Sequence, residues 1–503
     1  MAPLVILNKV KKALPLVFLI LLAFPLRFHN LGYSDYIGDE RKAIIELAPD
    51  QTLWDFFLTR RKGPMQFLVS EIPHQITGDF RNEHAQRIPF AVISVLAVVA
   101  FYLMVKKLSQ DETAAFIATA LFLVNGFIVG FGRIAQYQNL NLLFSFLAVY
   151  FYSDLLFKNR KLIRSTLFGT LFFSLSLLSH WDVIFIIPVV AYIFIRFLIN
   201  KSFEGGYKAR ILIYNLILGC LLLLPFLYPY LQGFTANSDN QEYFGRRVSV
   251  GSHDPNMYLE LIRLYNPFLT FELVSVLAIL GAFRFKKSVP YILWFIFGFL
   301  VFQLFVRKPG THIYNFVLPA LVLSGLSLSW VINFIPRFLK YILILVFLGV
   351  YSFLYYQAYY IFIDHSKEYP WEQKTYFEKF ERNNLLLKNL IPDLTTPVYT
   401  IDQKLPLFGF PHYRHWNEIN DYINGQNAEF GEEFGYITNE DKTISEWYTD
   451  AKYRADNGFY IIGIREPVNF VKDTNFPQYS GKTEIKRFYN GDQWVVKIYR
   501  IEK

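Results

Sequence analysis

Arg87-Ile88-Pro89-Phe90-Ala91-Val92-Ile93-Ser94-Val95-Leu96-Ala97-Val98-Val99-Ala100-Phe101-Tyr102-Leu103-Met104-Val105-Lys106-Lys107 decides the fold. No charged side chain interrupts residues 88–105. At ~1.5 Å per residue a helix of this length crosses most of the ~30 Å of hydrocarbon in a bilayer. Charges stand only at its two ends. Blocks of this kind recur up to about residue 363, covering roughly 13–29, 87–105, 113–132, 139–157, 165–180, 183–200, 211–231, 267–283, 289–306, 313–333 and 339–362. The expectation is a polytopic α-helical membrane protein of about eleven transmembrane helices.

Composition agrees. Only 18% of the 503 residues are charged, against about a quarter in soluble chains. The net charge of +9 comes from short basic clusters between apolar blocks. None is interleaved with a stacking platform, so no nucleic-acid partner is expected. Cys220 is the only cysteine and lies inside an apolar block, which excludes disulfides and a cysteine-based metal site.

Eleven spans put the chain ends on opposite sides. With the N-terminus inside, Lys106 and Lys107, Lys158 to Arg164, Lys201 to Arg210, Arg284 to Lys287, and Arg337 with Lys340 all become cytoplasmic. Short basic inside loops are what the positive-inside bias requires. Residues 64–80 are broken by Glu71 and Pro73. If they spanned, every later loop would change side, so they are expected to lie at the interface. Residues 41–60, divided by Pro49, are expected to form two short surface helices. The whole of 30–86 is then one long outer loop.

Several residues stand out against this frame. Lys62, Arg133, Arg246, Arg247, Arg307 and Lys308 are basic yet fall outside. Singly, each reads as interfacial snorkelling; together they read as a site for an anionic ligand such as a lipid phosphate. Asp39-Glu40 opens a short helix about ten residues after the first span. The pair reads as a helix cap with a first-turn acid, or as a general base at the membrane surface. His180-Trp181-Asp182 reads first as a tight turn between spans. Thr311, His312, Tyr314 and Asn315 open the tenth span and either hold a headgroup or mark the interface. Glu83 reads as a surface acid.

Taken in order, these pieces resemble a known family. Asp39-Glu40 follows the first span, then come Arg61-Lys62-Gly63-Pro64-Met65-Gln66, Glu83-His84-Ala85-Gln86-Arg87-Ile88-Pro89-Phe90, and Phe131-Gly132-Arg133-Ile134-Ala135. Over about residues 10–330 the chain resembles the GT-C superfamily of glycosyltransferases, in the protein O-mannosyltransferase and aminoarabinose transferase branch. His415 to Asn427 is similar to bacterial relatives with an appended outer domain. Where the aminoarabinose branch has two prolines after its lysine, this chain has Gly63-Pro64.

The resemblance implies transfer of a sugar from a polyprenyl-phosphate carrier to a protein, lipid or glycan acceptor on the outer face of the plasma membrane. Asp39 matches the family's catalytic acid and Glu40 its neighbour. Lys62, Glu83 and Arg133 fall near positions that line the substrate cavity. Arg246, Arg247, Arg307, Lys308 and His312 are further candidates for the donor phosphate. No cofactor is implied. A divalent metal near Asp39 and Glu40 is compatible with the acids, though no ligand cluster of recognisable spacing occurs.

From about Asp364 the composition turns soluble, so 364–503 is expected to be an extracytoplasmic α/β domain beside the membrane domain 1–363. Residues 371–390 read as a helix, 397–401 and 458–464 as strands, and 483–501 as a hairpin turning at Asn490-Gly491. A transporter or lipid flippase is the leading alternative. It needs ionisable groups inside spans or matched broken helices, whereas here they cluster at span ends. A non-catalytic scaffold is the second alternative.

Overall fold

The apolar blocks fold as helices, with block 113–132 broken at Asn125 into Glu112–Val124 and Gly126–Phe131. The computed structural model describes residues 2–60, 62–157, 161–236, 241–242, 245, 247–248, 256–267, 270–306, 310–365, 368, 408–430, 434–453, 459–465 and 482–501. Eight helices are long and apolar enough to cross a membrane: Glu83–Ser109, Gln138–Leu156, Leu162–Ser179, Trp181–Ile199, Gly205–Phe234, Lys286–Phe305, Gly310–Phe334 and Arg337–Phe362. Three shorter apolar helices, Ala13–Phe28, Glu112–Val124 and Thr270–Ala282, match the remaining blocks. The chain is a multi-pass membrane protein.

Polar side chains set where these helices begin. Asn82 accepts from the Ala85 N–H and Asp111 from the Ala114 N–H, each satisfying a donor the helix itself leaves unpaired. Gly310–Phe334 and Gln138–Leu156 are mostly buried, whereas Gly205–Phe234 and Arg337–Phe362 are mostly exposed. Such outward apolar faces, with Leu216, Leu221, Phe338 and Leu345 on them, suit lipid contact.

The connections sort to two ends. At one, Asp111 takes Arg284 at 3.3 Å, Lys287 at 3.2 Å and the Ser329 hydroxyl at 2.8 Å, while Lys107 pairs with Asp154 at 2.9 Å. These belong to three of the basic connections that the lysine and arginine pattern assigned to one side. The first loop, the turn at His180 and the turn Gly310–Ile313 meet elsewhere, together with the C-terminal region.

The first loop differs in part from expectation. Residues 41–60 yield one helix of seven residues, Leu53–Thr59, preceded only by the single turn Gly38–Arg41. Pro49 and the left-handed Asp50 (φ 65°) prevent a second helix between them. Residues 64–80 form the helix Met65–Thr77, closed by Gly78 at φ 70°. Glu71, Pro73, His74 and Gln75 break its apolar run, which sets it apart from the apolar helices above.

In the C-terminal region β1 (Gly435–Thr438) pairs parallel with β2 (Phe459–Ile464). Antiparallel to β2 lies β4 (Gln493–Ile501), which also pairs with β3 (Lys482–Asn490). The expected hairpin turns at Gly491, φ 55°, a conformation that glycine adopts without strain. Helices Trp416–Phe430 and Lys442–Tyr448 were not expected. The expected helix 371–390 and strand 397–401 lie outside the described residues. The core of this region, with Trp416, Ile423, Tyr436, Tyr460 and Val496, is completed by Tyr36 and Ile44 of the first loop.

Candidate functional site

Asp39 and Glu40 are neighbours whose carboxylates go to different places. Glu40 is fully buried. Its Oε1 accepts from Arg87 Nε at 2.8 Å and from the Ala135 N–H at 3.0 Å. Its Oε2 accepts from Arg87 Nη2 at 2.9 Å and from the Ile37 N–H at 3.1 Å. Four donors saturate it. Arg87 in turn donates to the carbonyls of Leu31, Ser34 and Asp35, so this ion pair fixes the path of the loop.

Asp39 is left facing an opening, its side chain 29% exposed. The ammonium groups of Lys42 and Lys62 each lie 3.8 Å from it. Burial alone would raise this carboxyl; Lys62, then Lys42, Arg247 and His312, outweigh burial and hold it below its ordinary range. It is an anion at any physiological pH. Lys62 is the counterpart: burial lowers its pKa, Lys42 and Arg247 push the same way, and Asp39 offsets them only in part. Among the described residues its Nζ makes no hydrogen bond, and it sits 5.2 Å from the centroid of the Tyr137 ring. A buried ammonium without a hydrogen-bond acceptor is costly. It is a ready partner for an anionic oxygen.

Gly63 explains the departure from two prolines. A Cβ on Gly63 would stand 1.9 Å from the Leu178 carbonyl oxygen, so the loop passes directly against the end of helix Leu162–Ser179. Gly63→Ala is expected to cost about 1–3 kcal/mol by overpacking and to displace Lys62. A lowered thermal midpoint together with weaker binding of an anionic lipid checks it; an unchanged midpoint contradicts the close packing.

The Tyr137 ring stacks at 3.7 Å on His180. His180 and His312 both reach Asp182: His312 Nδ1 lies 2.9 Å from each carboxylate oxygen, and His180 Nδ1 lies 3.1 Å from Oδ1. Sequence reading assigned His180 and Asp182 to a tight turn and missed this convergence. The clue was that both, like His312, were placed at span ends on one face.

Other candidates lie apart. Glu83 accepts from the Tyr448 hydroxyl, joining the start of its helix to the C-terminal region. Arg133 is buried, donates to the Asn30 carbonyl at 3.1 Å, and has no hydrogen-bond partner for Nη1 among the described residues. Burial, with Arg87 and Arg27 close by, lowers its guanidinium to about 9. It lines a separate small cavity with Ser34, His365 and Phe410. Arg247 contributes its charge to Asp39 and Lys62. Arg246, Arg307 and Lys308 lie outside the described residues. The structure thus gathers Asp39, Lys62, Arg247 and His312 and separates Glu40, Glu83 and Arg133 from them.

The C-terminal region closes over the loop that carries Asp39. Arg414, fully buried, donates through its backbone N–H to Asp35 at 2.6 Å, through Nη1 to Glu440 at 2.6 Å, and through Nη2 to the Tyr36 carbonyl at 2.7 Å. The Tyr36 N–H donates to the Tyr448 hydroxyl at 2.8 Å. Gly409, at φ 82°, brings the segment 408–412 against Gly130, where a Cβ would meet the Gly130 carbonyl oxygen at 2.2 Å.

Residues 61–228 match the family described as dolichyl-phosphate-mannose-protein mannosyltransferase. No curated protein matches the chain in sequence. In fold, the chain is similar to ArnT from Cupriavidus metallidurans bound to undecaprenyl phosphate, at 13% identity and TM-score 0.52, over 96% of this chain and 97% of that one. ArnT in the apo state aligns at 14% identity and TM-score 0.45, over 62% of this chain and 59% of that chain. The Archaeoglobus fulgidus oligosaccharyltransferase in the apo form aligns at 14% identity and TM-score 0.49, over 90% and 69%. The resemblance to GT-C glycosyltransferases drawn from the loop motifs is borne out by the family match and by the fold.

Proposed function

We propose that this GT-C-fold membrane protein is a glycosyltransferase that moves a sugar from a polyprenyl-phosphate carrier to an acceptor hydroxyl on the outer face of the membrane. The observation that carries this reading is the ionised, part-exposed Asp39 beside the buried Lys62 Nζ, which has no hydrogen-bond acceptor among the described residues. The basic connections support that face, because the positive-inside bias favours them in the cytoplasm and the first loop outside.

The acceptor oxygen bonds to the anomeric carbon as the bond from that carbon to the phosphate oxygen breaks, with inversion. Asp39 takes the acceptor's proton, and the electron pair leaves with the lipid phosphate. As the phosphate gains charge, Lys62 and Arg247 hold it more tightly, which lowers the barrier. Arg246, Arg307 and Lys308 are proposed to join them. Glu40 acts through Arg87 and the Ala135 N–H as a positioning residue for the turn carrying Asp39.

The cations that depress Asp39 also weaken it as a base. Donor binding resolves the conflict. A phosphate that neutralises Lys62 and Arg247 offsets two of the four groups holding the Asp39 carboxyl down, so its basicity rises when the donor is in place. Lys62→Gln tests the reading. Loss of a charge-assisted contact is worth about 1.5–3 kcal/mol, so affinity for a polyprenyl-phosphate sugar should fall roughly 10- to 100-fold. Unchanged donor binding by Lys62→Gln would remove this pocket from the donor phosphate.

A further inference from the structure

Two buried arginines have no carboxylate partner among the described residues. Arg27, in the last turn of the first helix, is fully buried, and Arg133 is 6% exposed. They stand close together: a Cβ on Gly132 would lie 2.6 Å from Arg27 Nε, and Arg133 is the next residue. Both guanidiniums hydrogen-bond only to neutral groups there. Arg27 donates through Nε to the Ser94 hydroxyl at 3.0 Å and through Nη2 to the Leu123 carbonyl at 3.1 Å. Arg133 donates through Nη2 to the Asn30 carbonyl. Nη1 of each is buried and has no hydrogen-bond partner among the described residues. We propose that the cavity beside Arg133 binds a phosphate group, held by the Arg133 guanidinium, at a place separate from Lys62.

The balance of charge supports it. Arginine keeps its proton at neutral pH, and even in its buried place Arg133 titrates only at about 9. Like charges close together in a low-dielectric interior repel, and buried charges are ordinarily paired. The acids nearby are already engaged. Arg87 lines the same cavity, but Glu40 spends its oxygens on Arg87 and on the Ala135 and Ile37 N–H groups. Glu368 accepts from the Tyr33 hydroxyl, the Tyr413 N–H and Asn490. Water would satisfy the free N–H groups and leave the charge in place. An anion satisfies both.

The lining and the depth of the cavity fit a phosphate. The planar guanidinium is the side chain best matched to phosphate oxygens. His365 lines the cavity too; burial, with Arg133 beside it, pushes its imidazole down to about 3, so it is neutral and adds no third positive charge. The empty space is about 270 Å³, counting the part continuous with solvent. That is below the range of about 300–1,000 Å³ usual for pockets that hold whole small molecules, and it suits a single phosphate group. Neither Asp39, Lys62 nor His312 lines it. Asn30 and Phe362 do, one just beyond the first apolar helix and the other at the end of Arg337–Phe362. Both helices turn apolar side chains outward, among them Leu21, Phe24, Leu345 and Leu348. The cavity therefore lies at the ends of two lipid-facing helices, the level at which headgroup phosphates stand. A lipid headgroup and free phosphate share this chemistry, and the test separates them.

The test uses the full chain in detergent carrying Lys62→Gln, so that its outcome is independent of donor binding at Lys62. Stripped of lipid in phosphate-free buffer, it is given radiolabelled inorganic phosphate or, separately, a short-chain phosphatidic acid, at constant ionic strength set with chloride. The expected result is uptake of about one phosphate per chain and a thermal midpoint raised by the bound probe but not by chloride. Uptake of both probes identifies a site for free phosphate, and uptake of phosphatidic acid alone a headgroup site; each supports the proposal. Adding Arg133→Gln should weaken that binding at least about tenfold, the loss of one charge-assisted contact. If the added variant fails to fold, the phosphate-dependent midpoint of the Lys62→Gln chain carries the test. Uptake of neither probe, equal stabilisation by chloride, or binding unchanged by Arg133→Gln overturns the proposal.

Discussion

Asp39→Asn is expected to lower turnover of a lipid-linked sugar by about 10²- to 10⁴-fold, the usual contribution of a positioned general base. Asparagine keeps the shape and the contact with solvent but cannot take a proton. Because the Asp39 charge now pairs with Lys42 and Lys62, its removal frees both cations. Donor affinity should therefore hold or rise while turnover collapses. That split separates a chemical role from a structural one, since a loop-stabilising acid would lose binding and turnover together. The pH dependence has a definite sign. In the free enzyme Asp39 titrates below its ordinary range, so loss of kcat/KM through this group appears only under strongly acid conditions. With donor bound, the limb in kcat moves to higher pH. Wild-type turnover by Asp39→Asn removes the residue from the mechanism.

Arg414→Ala is expected to cost about 3–5 kcal/mol, the price of breaking one side of a buried ion pair. Arg414 Nη1 donates to Glu440 and Nη2 to the Tyr36 carbonyl. Its removal takes the buried guanidinium from beside Glu440 and leaves Asp35 only the backbone N–H of residue 414. Burial already raises the Asp35 carboxyl, and Arg414 is the main counterweight. Lysine is not a sufficient replacement, because one ammonium cannot reach two acceptors with a planar fork. The C-terminal region should lose its grip on the first loop, seen as a lowered thermal midpoint and new proteolytic cleavage within residues 408–501. Activity should fall with it, since Asp35 and Tyr36 lead directly into the turn carrying Asp39. An unchanged midpoint would contradict this account of how the two parts are joined.

Much of the architecture was legible because hydrocarbon imposes a simple rule on sequence. The apolar blocks became helices, with 113–132 broken in two at Asn125, and Lys107, Arg284 and Lys287 fell at one end as the charge bias grouped them. Asn490-Gly491 gave the hairpin because few other pairs turn so tightly. Less was legible where contacts join distant segments. Nothing local says that Glu40 is consumed by Arg87, 47 residues away, while Asp39 stays open. The partnership of Asp182 with His312 crosses 130 residues and depends on which span lies beside which. Hydropathy assigns each to a face but not to a neighbour. Tyr36, in the first loop, completes the core of a region that begins hundreds of residues later, and nothing in its local sequence says so. Pro49 was noted, but its effect was read as a division between helices when it prevents the first of them.

The most direct test of the central claim is a structure of the full chain in lipid with a polyprenyl phosphate bound. The account predicts the phosphate within about 4 Å of Lys62 Nζ, the reach of an ion pair, with Asp39 on the side from which an acceptor approaches. A phosphate held instead in the cavity beside Arg133, with Lys62 and Asp39 still facing only each other, would contradict it.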